Sequence, residues 1–169
     1  MDLAAPTPCE DLDLRALVEH FVGTSGAMAR PGADEPLDPA DPWGGGPGPP
    51  TATARNGCAT NLDAVGRGWS RPEAWEGEAE VGGAPLPRTV LGEMALVEVA
   101  VHGWDVARAL GRTLRLDPAV GAAVDRAVAA SAALGRQMGA YGPEVTVPDG
   151  TTGLDRALAR AGRDPRWTV

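Results

Sequence analysis

The chain has 169 residues, 43% of them hydrophobic, which is enough for a core and excludes disorder throughout. The net charge is −8, with nine acidic against two basic residues in 1–50 and near balance afterwards. No basic stripe marks a phosphate-binding face, which speaks against nucleic acid and anionic membrane as partners. No apolar run reads as a bilayer span, and "MDLAAPTPCEDLDL" lacks the basic start and apolar core of a secretory leader, so a cytoplasmic location is expected.

In chain order, "PTPCEDLDLRALVEHFVG" reads as a helix start, with Glu10, Asp11 and Asp13 suited to the positive end of the helix. Leu14, Leu17, Val18, Phe21 and Val22 then recur at helical spacing, and the helix is expected to stop near Arg30, before Pro31. Residues 31–50 read as a long Pro- and Gly-rich loop. Its Asp34, Glu35, Asp38 and Asp41 fit a solvated loop better than a calcium site, because the prolines break the spacing a calcium loop needs. A second helix is predicted over Thr51 to Trp69. The alternation of Trp75, Gly77, Ala79 and Val81 with Glu76, Glu78 and Glu80, followed by Gly82-Gly83, predicts a small hairpin. A central helix is predicted from Arg88 to Leu110 with Gly111 as its stop. Another is predicted from Asp117 to Met138, and a short last one from Thr152 to Ala161.

The central helix carries the chemistry. In "ALVEVAVHGWD", Glu98 and His102 stand four residues apart and Asp105 three further on, so all three share a face amid apolar neighbours. A carboxylate in such a run is costly unless a partner meets it. The other histidine, His20, lies beside the apolar stripe of the first helix. Two imidazoles and a carboxylate on facing helices can hold a divalent metal, zinc above others, and can equally be a side-chain hydrogen-bonded set. Trp104 and Asp105 read as core packing and a hydrogen bond behind the site. Tyr141 reads as either packing or a general acid, with packing preferred. Cys9 and Cys58 have no CxxC partner and read as reduced thiols, Cys9 in a structural role. "GGGPG", Gly44 to Gly48, has no strand before it and no Lys-Ser/Thr after it, so it is not a phosphate loop.

"LVEVAVHGWDVARALGR", "TPCEDLDLRALVEHFVG" and the ending "GRDPRW" together resemble the mycothiol-dependent maleylpyruvate isomerase-type N-terminal domain family, a branch of the DinB-like metal-binding bundles. The resemblance implies one mostly α domain over 1–169, a DinB-like helical bundle with a small β-hairpin. It also implies His20, Glu98 and His102 as ligands of a divalent metal such as zinc. Where the family carries a further helix before this element, only "MDLAA" precedes "PTPC", so the bundle is expected to lack its first helix, and Leu12 stands where relatives often carry Trp.

The implied activity is metal-dependent transfer or isomerisation of a small-molecule substrate, with mycothiol or a similar low-molecular-weight thiol as cofactor. A tailoring lyase, cyclase or hydrolase is a variant of this reading. The rival is a non-catalytic metal-binding or small-molecule-binding module. Substrate contacts are expected from the 31–50 loop and the hairpin. The missing helix leaves an apolar flank near Phe21 and Val22, to be covered by a homodimer or by the Asp117–Met138 helix folding back, the dimer being preferred.

Overall fold

The computed structural model describes residues 2–46 and 51–169, so the end of the 31–50 loop, including part of "GGGPG", lies outside the described residues. The elements run α1 (Leu14–Gly32), α2 (Thr51–Trp69), a single 3-10 turn (Pro72–Trp75), β1 (Glu78–Val81), β2 (Ala84–Pro87), α3 (Arg88–Ala109), α4 (Pro118–Gln137) and α5 (Gly153–Arg160). The fold is mostly α with one antiparallel hairpin, as the sequence predicts. Glu78 pairs with Pro87 and Val81 with Ala84 around the Gly82-Gly83 turn.

Local chemistry sets the element ends, and it corrects the reading in three places. Glu10 and Asp11 are not in a helical turn. They belong to a tight loop in which the Thr7 hydroxyl donates to the Leu12 carbonyl (2.7 Å), and Asp13 alone caps α1 by accepting from the Ala16 N–H (2.9 Å). At the other end α1 passes through Pro31 to Gly32. A proline this close to the end removes a single intrahelical bond. The late carbonyls find arginines instead: Arg88 donates to Pro31 O and Arg71 to Gly32 O, both at 2.6 Å. Trp75, expected in the first strand, closes the 3-10 turn and packs edge-on against Trp69, 5.2 Å between ring centres.

Asn61 Nδ2 donates to Val22 O, and Trp69 Nε1 donates to Met28 O further along, so α1 and α2 run parallel. The chain must therefore return the length of a 19-residue helix, about 28 Å, between them. That requirement accounts for the long 33–50 connection. The two helices approach so closely at their ends that a Cβ on Gly68 would stand 2.9 Å from the Gly32 carbonyl carbon. By contrast α3 is antiparallel to α1, since Arg88 meets Pro31 while Glu98 meets Thr24.

Around α3 lie two apolar clusters. Leu91 and Ala95 join Met28, Trp69 and Ala74 near its start, with the hairpin packed outside. Val97, Ala100, Val101 and Trp104 join Val124, Ala127, Val128, Leu158 and Ala161 from α4, α5 and the turn after it. The helix is thus buried on more than one side, as its nearly continuous apolar sequence requires. Phe21 and Val22, expected on an uncovered flank, are each only 5% exposed. Val22 lies beneath Gly57 of α2, and Phe21 floors a groove of about 350 Å³ whose walls include Leu62, Val99, Leu116 and Val120. Both are buried side chains rather than residues of an open flank. Among the described residues no helix is long and apolar enough to cross a membrane.

Candidate metal centre

The antiparallel pairing of α1 and α3 brings His20 opposite Glu98 and His102. Their donor atoms all lie within 4.8 Å of one another. His20 Nε2 stands 3.7 Å from Glu98 Oε1, and His102 Nε2 stands 3.6 Å from the same oxygen. The imidazole rings meet edge-on with centres 4.9 Å apart. Both imidazole–carboxylate distances exceed a hydrogen bond. They are close to the edge of a tetrahedral site, where bonds of about 2.0–2.1 Å set neighbouring donors about 3.3–3.4 Å apart. Exposure falls from the His20 side chain (31%) to Glu98 (22%) to His102 (12%), so the trio opens to solvent on its His20 side.

The surroundings orient each donor. Thr24, one turn after His20, donates its hydroxyl to Glu98 Oε1 at 2.6 Å, a charge-assisted bond that steers the carboxylate toward the histidines. Asp105, wholly buried, lies 3.0 Å from His102 Nδ1. When the carboxylate accepts the Nδ1–H, the Nε2 lone pair faces Glu98 and His20. Burial holds His20 below the usual imidazole range; Glu98 pulls the other way, while His102 and Arg163 add to the lowering. Its neutral, ligand-competent form is thereby favoured.

A second donor group shares His102. Cys9, His102 and Asp105 also lie within 4.8 Å of one another. Arg163, from the turn after α5, approaches Cys9 Sγ at 3.2 Å and Asp105 Oδ2 at 3.3 Å. A guanidinium already supplies positive charge there, which disfavours a metal cation on that side. Burial also raises the Cys9 thiol above its usual range, against the opposing pull of Arg163, so it is not a ready thiolate.

The remaining candidates are accounted for by packing and loop bonding. Tyr141 packs against Gly135 and shares a 3.2 Å hydrogen bond with Ser131. Trp104 is a core residue. Asp34 pairs with Arg88 (2.9 Å) and Asp41 accepts from the Gly45 and Gly46 N–H groups, so the acidic loop residues serve the loop itself. Gly44 of that loop sits against Gly23 of α1, within one turn of His20. The hairpin instead joins α3 at Arg88, about 15 Å along the helix from Glu98, and is not beside the trio.

Sequence reasoning missed Thr24 and Arg163. Thr24 had a findable signal, since it follows His20 by four residues and so shares its face. Arg163 had none beyond belonging to "GRDPRW", because its approach depends on how α5 docks.

Two uncharacterized proteins of Mycobacterium tuberculosis, from strains CDC 1551 / Oshkosh and ATCC 25618 / H37Rv, are each 29% identical over 135 residues, covering 80% of this chain and 68% of theirs. No solved structure matches. The model of the mycothiol maleylpyruvate isomerase N-terminal domain matches residues 1–107, which hold α1, α2, the hairpin and all three candidate ligands. The chain belongs to the mycothiol maleylpyruvate isomerase N-terminal domain family.

Proposed function

We propose that His20, Glu98 and His102 hold one divalent cation, zinc first among candidates, and that the protein is an enzyme of the DinB-like, maleylpyruvate isomerase-like superfamily acting on a small molecule. The observation that carries this reading is the spacing of the two imidazole nitrogens from Glu98 Oε1, too wide for hydrogen bonds and close to a tetrahedral edge, with all three donors within 4.8 Å of one another. A cation bound there would lower the pKa of a coordinated thiol or water and hold the anion as a nucleophile. The protein's own part is positional. Thr24 orients Glu98, Asp105 fixes the His102 tautomer, and burial keeps His20 neutral. The more exposed His20 side is where a thiol and substrate would enter, next to the Gly44 segment of the loop.

The family description supports thiol-dependent transfer or isomerisation with mycothiol or a similar thiol as the specific chemistry. One observation favours a non-catalytic binding module. Thr24 and Asp105 are hydrogen-bonded to the trio, and Asp105 is already engaged by Arg163, so neither is a free acid or base.

Elemental analysis of the purified chain, paired with a transfer screen using mycothiol, bacillithiol and glutathione against electrophilic substrates, tests both parts. One divalent metal per chain, lost in His102→Ala, is expected. A chain that takes up no zinc, cobalt or other divalent ion would overturn the metal reading. Stoichiometric metal without any thiol-dependent turnover would move the assignment to the binding module.

A further inference from the structure

Arg163 is distant in sequence from the trio and lies outside the residues that the family model matches. Its placement is built by the local chain. The turn after α5 passes through Gly162 at φ +83°, where a Cβ would stand 2.6 Å from Gly142 Cα. Only glycine allows that conformation together with that approach. The turn sends Arg163 inward, where its side chain is 7% exposed and its Nη1 donates to Ala161 O at 2.9 Å. The end of the chain is fastened to α3 as well, by Arg108 Nε donating to Trp167 O at 2.9 Å.

Inside, Arg163 Nη2 meets Asp105 Oδ2, the same oxygen that faces His102 Nδ1. Asp105 Oδ1 and Arg163 Nε have no hydrogen-bond partner among the described residues. A buried pair with two unsatisfied atoms is a poor stabilising device, since desolvation offsets most of the Coulomb gain. What it does supply is a fixed carboxylate: Arg163 Nη2 holds the oxygen that faces His102 Nδ1. A carboxylate oxygen held there gives the Nδ1–H its acceptor and leaves the Nε2 lone pair facing Glu98 and His20.

We infer that Arg163 is a positioning residue for His102: by holding Asp105 Oδ2 against the imidazole it fixes the Nδ1–H tautomer and directs Nε2 toward Glu98 and His20. The C-terminal segment thus completes a site whose proposed ligands all come from α1 and α3. This inference deepens the proposed metal reading, but its first test does not depend on a metal.

Long-range proton–nitrogen correlation spectra of the metal-free full chain report the imidazole tautomers. Wild-type His102 is expected as the Nδ1–H form. Arg163→Gln is expected to shift it toward a mixture including the Nε2–H form, and Arg163→Lys, which keeps the charge, to restore it. Competition of zinc against a chromophoric chelator gives the second readout. Arg163→Gln should weaken binding by about 10–100-fold, the range for residues that support a ligand. It should have less than about twofold further effect in an Asp105→Asn background, because coupled residues are not additive. An unchanged His102 tautomer in Arg163→Gln, or zinc losses that simply multiply in the double variant, overturns the inference. Should Arg163→Gln not fold, Arg163→Lys against Asp105→Asn with Arg163→Gln gives the same comparison with the buried charge matched. A wild-type chain that shows the expected tautomer yet binds no zinc sinks the metal reading alone.

Discussion

The two nitrogens of His102 face opposite kinds of surroundings. On the Nε2 side stand Glu98 and His20, both partly exposed, with negative charge and lone pairs. On the Nδ1 side stand Asp105, Cys9 and Arg163, where a guanidinium balances the carboxylate within a nearly dry interior. Both sides contain three groups able to ligate a metal. The difference teaches that a donor cluster is read by its charge balance as much as by its distances. One side has its cation built in, and the other is the one we propose takes a cation from solution.

His102→Ala breaks both sides at once and carries the largest expected effect: metal content falls to background while circular dichroism keeps its helical signature, because Asp105 and Arg163 remain paired. Asp105→Asn separates the two sides. It leaves a buried guanidinium without its counter-charge, and loss of about 3–5 kcal/mol in chemical denaturation is expected. Glu98→Gln should do the reverse, removing metal while changing the stability of the metal-free chain by only about 1 kcal/mol or less, since that side chain is partly solvated. Equal destabilisation by the two substitutions would abolish the distinction drawn here.

Gly162→Ala tests the scaffold of the closed side. The strained φ costs about 1–3 kcal/mol, and the added Cβ must also displace the Gly142 backbone. A lowered thermal midpoint with weakened zinc binding is expected; full affinity would show that Arg163 reaches Asp105 without this turn. The open side has a pH signature instead. His20 is held below its usual imidazole range when folded. The unfolded chain therefore takes up that proton first, so this stability contribution is complete above about pH 6.5 and lost as pH falls through the folded pKa. In metal-free protein, His20→Gln should flatten the acid side of the stability profile. An unchanged slope would show that His20 is not constrained as described.

Most of the open side was legible in the sequence, because helical periodicity places Glu98 and His102 on one face and an apolar stripe brings His20 against it. Element positions followed for similar local reasons: Asp117 caps α4 through the Ala119 N–H, and Gly111 follows α3 with φ +66°. What could not be read depends on tertiary distance. Pro31 stays helical because arginines 40 and 57 residues away in sequence satisfy the last carbonyls, and neither is visible to a local rule. Arg163 is reached only through the docking of α5 on α4. Phe21 and Val22 were misjudged for the same reason, since the parallel α2, crossing by a long loop, covers the face that a simple up-and-down bundle would leave open.

The smallest expected effect belongs to Cys9→Ser, and it decides between the two sides most cleanly. The thiol accepts from Arg163 Nη2 at 3.2 Å, and a serine hydroxyl can accept the same bond at a shorter distance. Thr7, which shapes the loop around Cys9, bonds to backbone and is untouched by the exchange. The buried Asp105–Arg163 pair keeps both members. Stability should therefore move by about 1 kcal/mol or less. Metal content should not move at all, because Cys9 stands with Asp105 and Arg163 on the Nδ1 side and its burial-raised pKa makes the thiol a poor ligand at neutral pH. Elemental analysis of Cys9→Ser beside His20→Ala checks this. Loss of metal in the cysteine variant with retention in the histidine variant would assign the cation to the Nδ1 side, with Arg163 displaced to admit it, and would reverse the reading of both clusters.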